Sequence, residues 1–368
     1  MFSITDHQLM MRALRLAERG LFITTPNPRV GCVIAREGQI LGEGHTQPAG
    51  SDHAEVQALK HCQAQGNSAA GATAYVTLEP CSHFGRTPPC ADALLKAGVA
   101  RVVAAMRDPN PLVAGQGLAR LAEAGIAVEV GLLEHEAREL NIGFVARMER
   151  GRPWLRVKLA ASLDGKTALM NGVSQWITGP AARRDVHALR ARSCAMLTGI
   201  GTVFADDPRL TVREVETTRQ PLRVVVDSAL RISPTAKILH DGDTTVIYAS
   251  ASEDKVQAVR ATGAQVLALP SLSGRVDLPM LIDALGKLGM NEVTVEAGSQ
   301  LNGALLQAGL VDELVLYLAP VLLGDKALGL FNLPELTSMA GRRELTIVDQ
   351  RMVGQDLRLT ARFKGQPR

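Results

Sequence analysis

His53-Ala54-Glu55, Pro80-Cys81 and Cys90 constrain this chain more than anything else in it, because any fold it adopts has to gather residues distant in sequence at one point. One imidazole and two thiolates are the borderline-soft ligands that zinc prefers. With only three protein ligands the fourth tetrahedral position stays open for water, which is the arrangement of a catalytic site. Glu55 is not needed as a ligand and is free to move protons between that water and a departing group. Hydrolytic deamination requires this division of labour. Each residue alone has a plainer reading, as a buried apolar thiol or a satisfied core histidine. Their joint presence, with Pro80 and Glu55 in register, favours the catalytic zinc site.

A chain of 368 residues exceeds the usual single-domain size, so two domains are expected, and 46% hydrophobic residues supply ample core. Five cysteines is an odd number, and two are already committed to metal. A disulfide framework is therefore not expected and a reducing cytoplasm is. Cys32, Cys62 and Cys194 read as small buried hydrophobes. Met1 to His7 lacks a basic region followed by an apolar stretch, so no signal peptide is expected. No uncharged run reaches the ~20 apolar residues that span a bilayer. Residues 1–150 carry 14 basic against 15 acidic side chains, and the remainder 26 against 22. That mild excess in the second half suits small phosphorylated ligands but is too weak for a nucleic-acid surface, and 3% aromatic residues leave few platforms for stacking bases.

Along the chain, Thr5 and Gln8 suggest a capping box opening a helix that stops at Gly20. Strands are expected at 30–35 and 40–42, a helix from His53 through Lys60, and a strand at 74–78 that delivers the chain to Cys81. A helix at 91–97, a strand at 101–106, a helix at 117–124, a strand at 127–130 and one long helix at 134–149 follow. Both metal-bearing segments thus sit near helix N-termini, where unpaired amides favour the thiolate. Gly151-Arg152-Pro153 marks the boundary, giving domains 1–150 and 151–368. Beyond it, strands are expected at 154–161, 195–198, 222–227, 245–249, 265–269 and 292–295, a helix at 181–192, a loop at 199–203, and a terminal hairpin of 344–349 with 356–363. This is an α/β pattern with a mainly parallel or mixed sheet.

Eight residues separate Cys81 from Cys90 where the common deaminase signature has two. With that lengthened loop, the segment from Leu78 to Cys90 resembles the deaminase domain of the bifunctional riboflavin-biosynthesis deaminase/reductase family. In the second half, Ala161-Ser162-Leu163-Asp164-Gly165-Lys166, Gln175-Trp176-Ile177-Thr178, Gly199-x-x-Thr202 with Asp206-Asp207-Pro208, and Val295-Glu296-Ala297-Gly298-Ser299 resemble, in order and spacing, the reductase domain of the same family. The resemblance covers nearly the whole chain. It implies a cytidine-deaminase-like three-layer domain followed by a dihydrofolate-reductase-like α/β domain, with Zn2+ and NADPH as cofactors. The first would deaminate 2,5-diamino-6-ribosylamino-4(3H)-pyrimidinone 5′-phosphate, with Glu55 catalytic and His53, Cys81 and Cys90 on the metal. The second would reduce the ribosyl group to ribityl.

The resemblance also places NADP near Ala160, Trp176, Thr202, Asp206 and Ser228 and along the turn Gly298, Ser299, Gln300, Leu301, Asn302, Gly303 and Ala304. A glycine-led helix N-terminus is a ready phosphate site, though the same turn could be a plain serine-capped one. Substrate is placed against Ser174, Arg190, Leu210, Arg213 and Glu296, and in the family the asparagine at Asn27 contacts the pyrimidine. Arg190 and Arg213 suit a bidentate grip on phosphate, or could be solvated surface charges. His83 is better placed to touch substrate than zinc, and His61-Cys62 duplicates ligands already supplied. Thr46, where a histidine is common, and Asp52, where proline or alanine is, depart from the family pattern. The expected partners are a small phosphorylated pyrimidine and further copies of the chain, as dimer or tetramer, with neither nucleic acid nor membrane. A nucleic-acid base deaminase would want basic or aromatic surface, and a non-catalytic zinc module a fourth protein ligand.

Overall fold

Two glycines decide how the first half is layered. The structure, a computed structural model, describes residues 1–82, 88–111 and 113–364 and divides into two compact units, Met1–Gly151 and Arg152–Arg368. The first contains α1 (Ile4–Glu18), β1 (Gly31–Arg36), β2 (Gln39–His45), α2 (Ala54–Ala64), β3 (Thr73–Val76), α3 (Cys90–Lys96), β4 (Arg101–Ala104), α4 (Gln116–Glu123), β5 (Ala127–Val130), α5 (Glu134–Leu140) and α6 (Ile142–Arg150). Its sheet runs β2-β1-β3-β4-β5, with β1 antiparallel to both neighbours and the last three strands parallel. A Cβ on Gly31 would strike the Ala13 carbonyl of α1, and one on Gly42 the Ala58 carbonyl of α2. Gly42 pairs with Ile34, three residues beyond Gly31 on β1 and so on the opposite face of the sheet. Helices therefore lie on both faces, and the missing side chains let them approach closely. This is the three-layer arrangement expected.

Two details differ from expectation. The helix α1 is capped by Ser3, not Thr5. The Ser3 hydroxyl accepts the Asp6 N–H (3.1 Å) while the Asp6 carboxylate accepts the Ser3 N–H (2.8 Å). Asp6 wins because it also accepts from the Tyr75 hydroxyl and from Arg101 (2.7 Å each), tying the helix start to β3 and β4. The single helix expected over 134–149 is broken at Asn141, whose side-chain amide accepts the Arg29 N–H (2.8 Å) and donates to the Arg29 carbonyl (2.9 Å). A buried pairing with a distant segment outweighs local helix propensity there.

The second unit contains β6 (Trp154–Ser162), β7 (Lys166–Ala168), α7 (Pro180–Arg192), β8 (Ala195–Gly199), α8 (Ile200–Asp206), β9 (Leu222–Val226), β10 (Thr244–Tyr248), α9 (Glu253–Arg260), β11 (Gln265–Ala268), α10 (Leu278–Lys287), β12 (Glu292–Val295), α11 (Ser299–Gln307), β13 (Glu313–Ala319), β14 (Leu328–Gly329), β15 (Leu345–Val353) and β16 (Asp356–Phe363). Its main sheet runs β11-β10-β9-β8-β12-β6-β13-β16-β15. The first seven strands in that order are parallel, and the terminal hairpin adds antiparallel to them. Consecutive residues of the central strands enter different cores: Leu197, Val224 and Ile247 join one, and Met196, Val225 and Val246 the other. Burial on both faces explains why these strands read as continuous apolar runs. The result is the dihydrofolate-reductase-like α/β sheet expected. The 199–203 stretch, expected as a loop, is the short helix α8 with Gly199 at its N-cap. β13 carries no sequence expectation, because its unbroken apolar run does not distinguish strand from buried helix.

Candidate active sites

In the first unit the sheet register gathers the metal candidates. Gly31 at the start of β1 pairs with His45 at the end of β2. The Thr77 N–H, just past β3, donates to the Gly31 carbonyl (3.1 Å). The exits of β2 and β3 thus lie at one end of the sheet, and from them the chain reaches His53, the N-cap of α2, and Cys81. Cys90 is the first residue of α3. The ligand atoms of His53, Cys81 and Cys90 all lie within 4.8 Å of one another. His53 Nδ1 is 3.6 Å from Cys81 Sγ and 3.3 Å from Cys90 Sγ. Zinc bonds of about 2.3 Å to sulfur and 2.0 Å to nitrogen put tetrahedral neighbours roughly 3.5 Å apart, so the three donors fit one zinc.

Charge at this site follows from the same geometry. The Cys90 thiol and the Cys90 N–H (3.3 Å) both point at the Cys81 sulfur, which brings its pKa down to about 4. Cys90, as the donor, is pushed far up. Metal binding takes both cysteines as thiolates and so releases their protons. The hydrogen bond to Cys81 also raises His53. Glu55, in the first turn of α2 and 3% exposed, is pushed up to about 7, chiefly by burial and then by the Cys81 charge. It is not among the clustered ligand atoms. A buried carboxyl that holds or yields a proton near neutral pH stands beside a three-donor metal site.

Other sequence candidates fall into place around it. Asn27 sits in the turn before β1, its N–H donating to the Thr24 carbonyl (2.9 Å). Thr46 is buried and serves the backbone, accepting the Val30 N–H (3.2 Å). Asp52 is spent on Gln57 (2.8 Å) and Lys60 (2.5 Å) of α2. His61 accepts the Glu43 N–H (3.1 Å) and Cys62 is buried, so that pair is structural. His83 lies outside the described residues. One supporting side chain carries no motif. The buried Glu79 accepts the N–H groups of Asp108 (3.0 Å), Gly115 (2.9 Å), Gly117 (2.9 Å) and Leu118 (3.3 Å), clamping the strand exit two residues before Cys81 to the start of α4. An acid directly after an apolar strand was the only sequence signal for it.

In the second unit the candidates collect past the carboxyl ends of parallel strands, where ligands bind open α/β sheets. Thr202 and Asp206 lie on α8 after β8, Ser228 follows β9, and Glu296 and Gly298 follow β12. Ala160 lies in the second half of β6, paired with Tyr317. Arg190 of α7 grips Glu296 with both arms (2.7 and 2.9 Å) and donates to the Thr211 carbonyl (3.2 Å). Burial alone would raise the Glu296 carboxyl, but Arg190 and Lys158 outweigh it and hold it at about 2. Lys158, half-buried on β6, was marked by no motif; burial pushes its pKa down while Glu296 pushes it up.

Leu210 has a left-handed backbone (φ 51°) and leads to Arg213, whose guanidinium donates to the Thr211 hydroxyl (3.3 Å). Ser174 is half-buried in the segment before α7, and the exposed Trp176 ring beside it stacks under the Arg183 guanidinium (4.6 Å). Gln175 reaches Asp206 (3.3 Å), and the Ser228 hydroxyl accepts the Val276 N–H (3.1 Å). At the α11 turn a Cβ on Gly298 would meet no atom within 4 Å, so the approach is open. Ser299 and Gln300 share that open first turn, and Leu301 packs on the core behind it. Asn302 is buried and donates to the Ala297 carbonyl (2.8 Å), while Gly303 is pressed against the Asn332 backbone. Ala304 continues the helix.

Residues 3–106 match the cytidine and deoxycytidylate deaminase zinc-binding region, and residues 153–359 match the RibD C-terminal domain. The chain is 52% identical over 364 residues to the riboflavin biosynthesis protein RibD of Escherichia coli (strain K12), covering 96% of this chain and 98% of that one. Among solved structures, Acinetobacter baumannii RibD is 45% identical with a TM-score of 0.90, over 98% of this chain and 99% of that one. A Thermotoga maritima diaminohydroxyphosphoribosylaminopyrimidine deaminase/5-amino-6-(5-phosphoribosylamino)uracil reductase is 31% identical with a TM-score of 0.86, over the same shares of 98% and 99%. Matched in both halves and over nearly its whole length, the chain belongs to the RibD family of riboflavin biosynthesis proteins.

Proposed function

We infer that the two units divide the family's two reactions between them. Met1–Gly151 removes the 2-amino group of the diamino-ribosylaminopyrimidinone 5′-phosphate as ammonia, and Arg152–Arg368 reduces the ribosyl group of the resulting uracil to ribityl. The observation that carries the first assignment is the convergence of His53, Cys81 and Cys90 beside the buried Glu55. Those three residues would hold a zinc ion, which would supply Lewis acidity to the attacking water. Glu55 takes a proton at its carboxylate and returns it to the leaving amine, a dual role suited to a group poised at about 7. The Asn27 turn would orient the pyrimidine.

In the second unit NADPH supplies the hydride, and the chain's task is to hold nicotinamide against the sugar C1′. Ala160, Trp176, Thr202, Asp206, Ser228 and the turn opening α11 would hold the cofactor. Ser174, Arg190, Leu210, Arg213 and Glu296 would hold the ribose phosphate, with Arg213 on the phosphate. Supporting this are the open approach at Gly298 and the Arg190–Glu296 pair. Homo-oligomerisation and a reducing cytoplasm belong to the same proposal. Ile347 and Met352 stand 57% and 62% exposed on the edge strand β15, as a subunit contact would require, and a thiolate metal site needs reduced cysteines. No helix among the described residues is long and apolar enough to cross a membrane.

Glu55→Gln tests the carrying observation. The variant is expected to keep its zinc, lose ammonia release by roughly 10²–10⁴-fold and still oxidise NADPH on pre-deaminated substrate. Ammonia release near the wild-type rate would place the proton carrier elsewhere.

A further inference from the structure

Thr211, Val212 and Arg213 belong to no strand, yet side chains hold their backbone as a neighbouring strand would. Arg190 donates to the Thr211 carbonyl (3.2 Å). The Gln220 amide accepts the Val212 N–H (2.7 Å) and donates to the Val212 carbonyl (3.1 Å). The ring of His187, one turn before Arg190 on α7, accepts the Arg213 N–H at Nδ1 (3.2 Å). His187 is buried, with 5% of its surface exposed, while the Arg213 side chain beyond it is exposed. Burial, then the charges of Arg190 and Arg213, depress the imidazole pKa and favour the neutral ring, which has one nitrogen free to accept; the Arg213 N–H pointing at Nδ1 makes that nitrogen the acceptor.

Such tethering has a purpose beyond packing. Leu210 carries the segment through a left-handed turn unfavourable for leucine, and a backbone so bent holds its course only where its surroundings fix it. One helix supplies both the Glu296 partner and the Arg213 anchor, so α7 sets the spacing between the groups that face the sugar and the phosphate.

We propose that His187 is a positioning residue for the substrate 5′-phosphate, touching no ligand itself and fixing through the Arg213 backbone where that guanidinium is presented. The inference rests on the reading of Arg213 as the phosphate grip, and the experiment separates the two. The full-length enzyme is assayed with 5-amino-6-(5-phosphoribosylamino)uracil and with its dephosphorylated riboside. His187→Leu is expected to raise KM for the phosphate about tenfold, the loss of one neutral hydrogen bond. It should leave kcat within about twofold and the riboside constants unchanged. His187→Asn, whose Oδ1 is bonded to Cγ as Nδ1 is and can accept the same N–H, should stay close to wild type; if the leucine variant does not fold, His187→Met, which fills the site without an oxygen or nitrogen acceptor, takes its place. On an Arg213→Ala background the His187 change should add nothing further. Equal effects on phosphate and riboside, a fall in kcat alone, or full additivity with Arg213→Ala would overturn the inference while leaving the grip. Arg213→Ala without effect on KM would remove the grip and the inference with it.

Discussion

Glu296→Gln keeps the shape of the side chain and removes its charge, leaving Arg190 buried opposite a neutral amide. The carboxyl is held at about 2 against an ordinary 4.5, a difference worth roughly 3 kcal/mol of folding stability at neutral pH. Both partners are only 13% exposed, so solvent screening takes little of this away. Because the folded-state pKa lies below the unfolded one, the contribution is complete above pH 4.5 and is lost as pH falls toward 2. Both tryptophans of the chain, Trp154 and Trp176, lie in Arg152–Arg368, so urea unfolding followed by tryptophan fluorescence reports that unit and not the other. We expect the variant to lose about 2–3 kcal/mol at pH 7 and the gap to narrow steadily in acid. NADPH should still bind while reduction slows. A loss below about 0.5 kcal/mol at pH 7, or a gap that stays constant into acid, would refute the assignment of charge to this pair.

Cys81→Ser removes one of the three proposed zinc donors, so metal analysis is expected to fall from about one zinc per chain to none, with ammonia release lost and NADPH binding kept. Wild-type protein that deaminates without metal would contradict it. Gly298→Val has room for its side chain and an ordinary backbone angle (φ −75°), so it should fold. Calorimetric titration is expected to show a steep loss of NADPH affinity, since the branched side chain stands where amides approach phosphate; unchanged affinity would make the turn structural only. Asp6→Asn removes the charge opposite Arg101 and keeps a single oxygen, which cannot serve Arg101 and Tyr75 on one side and the Ser3 N–H on the other. It should cost the first unit about 2 kcal/mol, read from a melt of zinc-loaded protein, and an unchanged melting temperature would show the capping box to be dispensable.

Local chemistry was legible wherever a residue type admits few uses. The spacing of His53, Cys81 and Cys90 announced a three-ligand zinc site, because few arrangements other than metal binding need one imidazole and two thiolates in register with an acid. Strand and helix positions followed from hydrophobic period in both units, since burial on one or two faces imposes that period directly. What failed was local structure settled by distant partners. Asn141 breaks a helix for the sake of Arg29, Ser3 displaces Thr5 as cap because Asp6 is wanted by Tyr75 and Arg101, and β13 becomes a strand because β6 and β16 flank it.

The same division runs through the sites. Residue identity was enough to nominate Glu55 as proton carrier, while Arg213 as phosphate grip came from the family resemblance, since an arginine alone reads equally as a solvated surface charge. Neither the elevation of Glu55 to about 7 nor the depression of Glu296 to about 2 could be read before folding, because both depend on burial and on charges supplied from other segments. Glu79, Lys158 and His187 went unmarked for that reason. A single acid, lysine or histidine in a strand or helix is commonplace as sequence, and acquires meaning only from the amides, carboxylate or arginine that the fold sets against it.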